Sequence, residues 1–247
     1  MSKKISLKQF LMKTGRFERM YDCIAAVRSG EITINGKAII NPNYFFNSEK
    51  SLVKIENEKI KQIQKLYFLL NKPVGYLSQK SQGEKTIYDL FQNSNFPKEA
   101  IQSLHAVGRL DKDTGGLLIV TNDGKLSDMI MNPENDITKK YHAVLEKTTD
   151  MDKIKMLEKG IEINIDNESY KTKPCKIKLV DKKEVYISIS EGKKRQIRLM
   201  FEAIGNKILY LKRVSIAGLQ LGKLKVGEIK PVSREEIYSK LDIQQRL

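Results

Sequence analysis

In the stretch from Ala106 to Gly124, AVGRLDKDTGGLLIVTNDG, the carboxylate of Asp111 stands in a glycine-rich turn between two apolar runs. Leu117 to Val120 is the short continuous apolar run a buried strand needs, and Gly115-Gly116 ahead of it permits unusual backbone geometry. A loop held by such a strand can present a catalytic carboxylate, and an aspartate in a glycine-containing turn equally serves as a turn former bonded to its own backbone. Residue type and spacing leave both readings open. Farther along, Arg195 and Arg198 are three apart and share a helical face, as a solvated surface or as phosphate contacts. Tyr141 lies in Thr138 to Leu145, which reads as a strand, where tyrosine is ordinarily a core or edge residue. His142 beside it points to the opposite face and needs no functional role.

The pattern Gly-Arg-Leu-Asp-x-x-Thr-x-Gly-Leu-Leu-x-x-Thr-Asn-Asp-Gly, occupied at every defining position from Gly108 to Gly124, resembles the signature of the RsuA/RluB branch of bacterial-type pseudouridine synthases. Those enzymes isomerise a uridine in ribosomal RNA. The resemblance implies that Asp111 is the catalytic nucleophile and that Tyr141, in a Lys-x-Tyr-x-Val-type pattern, packs against the target base. It also implies that Arg198, in the Glu-Gly-x-x-x-Gln-Ile-Arg segment from Glu191, is the basic partner of Asp111. Asn71-Lys72-Pro73-Val74-Gly75 is similar to the element that opens the family's catalytic domain, which makes Lys72 a candidate RNA contact; Arg195 is another. Arg109, by the same resemblance, enters the space left by an extruded nucleotide. Two departures stand out: Leu199 occupies the place of a second basic residue, and Lys230-Pro231 stands where an arginine is common.

Residues 1–60 read as a separate unit. Ile5, Leu7, Phe10 and Leu11 fall near one helical face, and a second helix from Phe17 to Arg28 spaces Met20, Ile24 and Val27 by four and three. Ile32 and Ile34 then alternate with polar residues before Asn35-Gly36, a strong hairpin signal, with the return strand over Lys37 to Ile40. This order is similar to the S4-type RNA-binding domain, and Lys8, Lys13, Arg16 and Arg19 are its candidate phosphate contacts, with a solvated helix face as the other reading. Glu18 replaces the serine common before Arg19. The polar run Glu56 to Gln64 is expected to be a connector, and residues 77–102 are expected to form surface insertions around one short helix.

Composition sets the broader frame. Among 247 residues, 45 Lys and Arg against 30 Asp and Glu leave a formal charge of +15, which suits a polyanionic partner such as nucleic acid. A chain that is merely lysine-rich would carry the same charge. No apolar window approaches the roughly 18 residues of a membrane span, and Met1-Ser2-Lys3-Lys4 does not lead into a signal peptide, so a cytoplasmic location is expected. Cys23 and Cys175 are far apart, which suggests reduced thiols and no zinc site. The motifs of zinc deaminases, P-loops and dinucleotide-binding folds are missing, and the resemblance implies a reaction without metal or cofactor.

The expected fold class is therefore α+β: an S4-like helix-helix-hairpin module over residues 1–60 and a pseudouridine synthase domain over 66–247. The latter is expected to be a mixed, mostly antiparallel sheet with flanking helices and a central cleft. The expected partner is ribosomal RNA or an assembling ribosomal subunit, with the protein a monomer and large-subunit RNA favoured over small-subunit RNA. The rival reading is a non-catalytic ribosome-associated RNA-binding protein on the same fold.

Overall fold

The computed structural model describes residues 4–17, 19–61, 63–92 and 96–241; Glu18 and Asn93-Ser94-Asn95 lie outside the described residues. The chain divides into two compact units, one formed by residues 1–66 with 91–105, the other by 67–90 with 106–247. The described residues of the segment 91–105, which the sequence assigned to the second domain, thus group with the first unit.

In the first unit, helices span Leu7–Met12 and Met20–Arg28. Their apolar faces meet the strands Ile32–Ile34 and Val53–Ile55 around a core that includes Leu7, Phe10, Leu11, Cys23, Val27, Ile32 and Phe46. The second helix buries Cys23 and Val27, while Met20, expected on the inner face, is 43% exposed. The hairpin turns at Asn35 and Gly36, whose φ values of 50° and 82° are those of a type I′ turn. The expected connector from Glu56 is instead a second hairpin: Glu58–Ile60 pairs with Val53–Ile55 across Glu56 and Asn57, both in the left-handed region. An Asx residue tolerates that conformation, so the turn forms without glycine at its second position.

In the second unit the strands along the main path of the sheet are β1 (Tyr67–Lys72), β2 (Gly115–Thr121), β3 (Lys139–Leu145), β4 (Lys176–Asp181), β5 (Glu184–Ile189), β6 (Ile208–Ile216) and β7 (Ile229–Pro231). They lie in the order β4-β5-β3-β6-β2-β1-β7. Only β6 with β2 is parallel among these pairs, so the sheet is mixed and mostly antiparallel, as expected. Helices α1 (Gly124–Met131), α2 (Met151–Glu158), α3 (Gln196–Ala203) and α4 (Arg234–Lys240) accompany it. β1 and β2 are buried along their whole length, which accounts for their unbroken apolar runs.

One close approach fixes the centre of the sheet. Gly116 (φ 107°) pairs with Arg213, and a Cβ there would come within 2.2 Å of the Arg213 carbonyl oxygen and 2.6 Å of its nitrogen. No other residue fits. Nearby, Tyr67 and Tyr238 both donate their hydroxyls to the buried carboxylate of Asp123, at 2.9 and 3.3 Å, and so anchor the end of the signature stretch.

Candidate active site

The loop that leads into β2 is held at each successive carbonyl from Leu110 to Thr114. Leu110 O accepts from Ser78 Oγ (2.9 Å), Asp111 O from Lys72 Nζ (3.1 Å) and Lys112 O from the Gly75 amide (2.7 Å). Asp113 O accepts from Arg198 Nη2 (2.9 Å) and Thr114 O from Lys72 Nζ (2.9 Å). Leu110 N donates back to Ser78 Oγ at 3.0 Å, and Thr114 N closes a turn onto Asp111 O at 3.0 Å. Among the described residues, by contrast, the Asp111 carboxylate takes part in no hydrogen bond or ion pair. A half-buried carboxylate on so constrained a loop is preorganised and unengaged.

The Asn-Lys-Pro-x-Gly element divides into separate tasks. Asn71 Nδ2 donates to Leu224 O (2.7 Å) and ties down the C-terminal segment. Lys72 is 1% exposed and spends its three donors on the carbonyls of Pro73, Asp111 and Thr114. The expectation that Lys72 contacts RNA is thereby corrected: its strand is covered on both faces and its ammonium is fully engaged inside the protein. Burial pushes that ammonium down to about 8, against the opposing pull of Asp111 and Asp113.

Arg198 is likewise corrected. Its Nε lies 3.2 Å from Asp113 Oδ2, and its remaining donors reach Asp113 O and Ile208 O (3.0 Å). The turn from Asp111 to Thr114 carries Asp113 towards the start of α3, so Asp113 receives both Arg198 and Arg195, whose Nη1 is 3.1 Å away. Arg198 therefore positions the loop through Asp113 and makes no ion pair with Asp111 among the described residues.

Asp111, Tyr141, Arg198, Arg195 and Arg109 nevertheless line one pocket of about 780 Å³, within the range that takes a nucleotide-sized ligand. Tyr141 is buried, and its hydroxyl accepts from Arg213 Nη1 at 3.4 Å. Arg109 is exposed and engaged by no other described side chain. The lining carries nine Lys and Arg side chains against Asp111 and Glu191, a field that favours a polyanion.

Sequence reasoning missed Arg213. It is 3% exposed, donates from Nε to Leu117 O at 2.7 Å, and lies opposite Tyr141 across β3 and β6. The signal was present: Leu211, Arg213 and Ser215 alternate on the inward face of a strand, a position where an arginine is costly unless used. Tyr170 was missed as well. It lines the pocket, its hydroxyl donates to Glu191 at 2.5 Å, and that bond pushes its phenol up to about 12. In the first unit, Lys13 is exposed and Lys8 half-buried, while Arg16 and Arg19 are exposed and pair with Glu58 (2.6 Å) and Asp22 (2.9 Å).

Residues 66–203 match the family model described as RNA pseudouridylate synthase, and the chain belongs to that family: it is an RNA pseudouridine synthase. Within the family it is of the RsuA/RluB type. It is 34% identical over 219 residues to the ribosomal large subunit pseudouridine synthase B of Bacillus subtilis (strain 168), covering 85% of each chain. It is 32% identical over 214 residues to the ribosomal small subunit pseudouridine synthase A of Escherichia coli (strain K12), covering 86% of this chain and 90% of that one. A solved structure described as a pseudouridylate synthase superimposes with a TM-score of 0.68 at 30% identity, covering 96% of this chain and 99% of the other. No helix among the described residues is long and apolar enough to cross a membrane.

Proposed function

We propose that this synthase isomerises a uridine of ribosomal RNA with Asp111 as nucleophile. The observation that carries the reading is the unengaged Asp111 carboxylate on a loop whose carbonyls from Leu110 to Thr114 are all held. A paired or mobile carboxylate would have to be released or ordered before it attacked. This one is ready.

Uridine within a folded RNA hides its glycosidic bond, so the nucleotide is extruded into the pocket at a cost of roughly a few kcal/mol. Arg109, exposed at the pocket rim, fills the vacated stack. Tyr141 packs on the uracil, with its hydroxyl steadied by Arg213. Asp111 then attacks the ribose or the base. The N1–C1′ bond breaks and the uracil turns; as the C5–C1′ bond forms, the bond made to the Asp111 carboxylate breaks and frees it, and the C5 proton is lost as N1 gains one. Lys72 and Arg198 act through the loop and not on the nucleotide.

The first unit, with its two helices and hairpin, serves as an S4-like RNA-binding module whose Lys8 and Lys13 meet phosphates, with Arg16 and Arg19 available if their ion pairs open. Large-subunit RNA is the favoured target, supported by the similarity to the Bacillus subtilis enzyme. The test is to map pseudouridines in both ribosomal RNAs, with and without this chain, by carbodiimide-dependent reverse-transcription stops. A site lost from large-subunit RNA is expected; a site lost from small-subunit RNA alone would overturn the target, and no lost site would overturn the reading.

A further inference from the structure

The sheet of the second unit has a face that the pocket does not use. Along β3, β5 and β6 the residues Ala143, Val185, Ile187 and Leu211 are buried, and their alternates point the other way. The pairing aligns these alternates in rows across the strands. Lys178, Tyr186, His142 and Lys212 form one continuous row over β4, β5, β3 and β6. Beside it lie Lys176, Ser188 and Lys140; on the other side, Glu184, Val144 and Tyr210. None of these residues is buried, and Tyr210 is 40% exposed.

The row has a cation at each end and two rings between. At a strand spacing near 4.8 Å it runs about 14 Å from end to end. The His142 and Tyr186 ring centroids are 5.1 Å apart, those of His142 and Tyr210 are 6.1 Å apart, and Lys140 Nζ sits 4.7 Å from the centre of Tyr186. Four lysines stand against Glu184, which is bonded to His142, and Asp181 at the end of β4, so this face carries a net positive charge. Aromatic rings on adjacent strands of an open sheet, flanked by cations, form a surface on which bases stack and phosphates are neutralised.

We propose that this outer face is a second RNA-binding surface, which takes a single-stranded segment by stacking on Tyr186, His142 and Tyr210 and by pairing Lys140, Lys178 and Lys212 with phosphates. It goes beyond the isomerisation and does not depend on it. A sheet face open only for solubility would carry the lysines without a need for His142 to bridge the rings of Tyr186 and Tyr210 between them.

The test uses the full chain and labelled oligoadenylate, which contains no uridine, with binding followed by fluorescence anisotropy over a range of salt. Lys140→Glu with Lys178→Glu should weaken binding about 10-fold or more and reduce the salt slope by about 1.4, since each lost contact to a single strand contributes about 0.7. Tyr186→Ala with Tyr210→Ala should weaken binding about 10-fold at an unchanged slope. Ultraviolet crosslinking of the unsubstituted chain, which needs no variant to fold, should join oligoadenylate to peptides containing Tyr186 or Tyr210. Unchanged affinity in the lysine variant, or crosslinks confined to the pocket or to the first unit, would overturn the proposal.

Discussion

Lys72 holds the backbone of Asp111. Its ammonium, at the end of β1, donates to Asp111 O at 3.1 Å and Thr114 O at 2.9 Å and clamps both ends of the turn that carries the carboxylate. Replacing Lys72 by Met keeps much of the bulk but strips three carbonyls of a donor, a loss offset in part by removing a buried charge. The expected result is a stability loss of about 1 to 3 kcal/mol by urea unfolding, with kcat falling further than KM changes.

The same residue gives a pH dependence. Its ammonium titrates near 8 in the folded protein and at the ordinary 10.5 in the unfolded chain. Between these values the unfolded state holds more protons, so the Lys72 contribution to stability is least below pH 8 and rises towards pH 10.5. Over the same window the amine loses one of its three donors, the loop loses a tether, and turnover falls. Urea midpoints and kcat measured from pH 7 to pH 10.5 should show both trends in the unsubstituted chain, and Lys72→Met should lack both.

Asp113 is the loop's ionic anchor. Asp113→Ala leaves Arg198, which is 7% exposed, without its carboxylate. Because Asp113 itself is half exposed, the expected cost is about 1 to 2 kcal/mol, less than for a fully buried pair. Thermal unfolding checks the stability, and single-turnover assays should show a slower chemical step. A silent Asp113→Ala would mean that Arg198 does not act through Asp113.

What the sequence disclosed follows from how local each feature is. Gly108 to Gly124 was legible because turn, strand and helix start all lie within one continuous stretch. So was the Asn35-Gly36 hairpin, since two residues carry its geometry. The partner of Arg198 was not, because two carboxylates two residues apart are indistinguishable until the turn decides which one faces α3. Burial of Lys72 was hidden for another reason: a lysine at a strand end reads as solvent-facing unless the carbonyls that receive it, about forty residues away, are known. The Glu56-Asn57 hairpin escaped because its turn lacks a glycine.

Gly116 sits where β2 runs beside β6. Gly116→Ala would add a Cβ within 2.2 Å of Arg213 O at φ 107°, so steric overlap and backbone strain combine. A loss of about 3 kcal/mol or more is expected, read as a lowered denaturation midpoint or as protein recovered only from inclusion bodies. A variant as stable as the unsubstituted chain would contradict the close approach.

The central claim is that Asp111 performs the attack. Asp111→Asn preserves shape and leaves the carbonyl contacts that hold the loop in place, so the fold and RNA affinity should persist while the anionic nucleophile is gone. The decisive measurement is conversion of uridine to pseudouridine in ribosomal RNA by the Asp111→Asn protein, with RNA binding measured on the same preparation. The expected result is no detectable product at near-normal affinity. Product formed at close to the unsubstituted rate would contradict the assignment and the mechanism built on it.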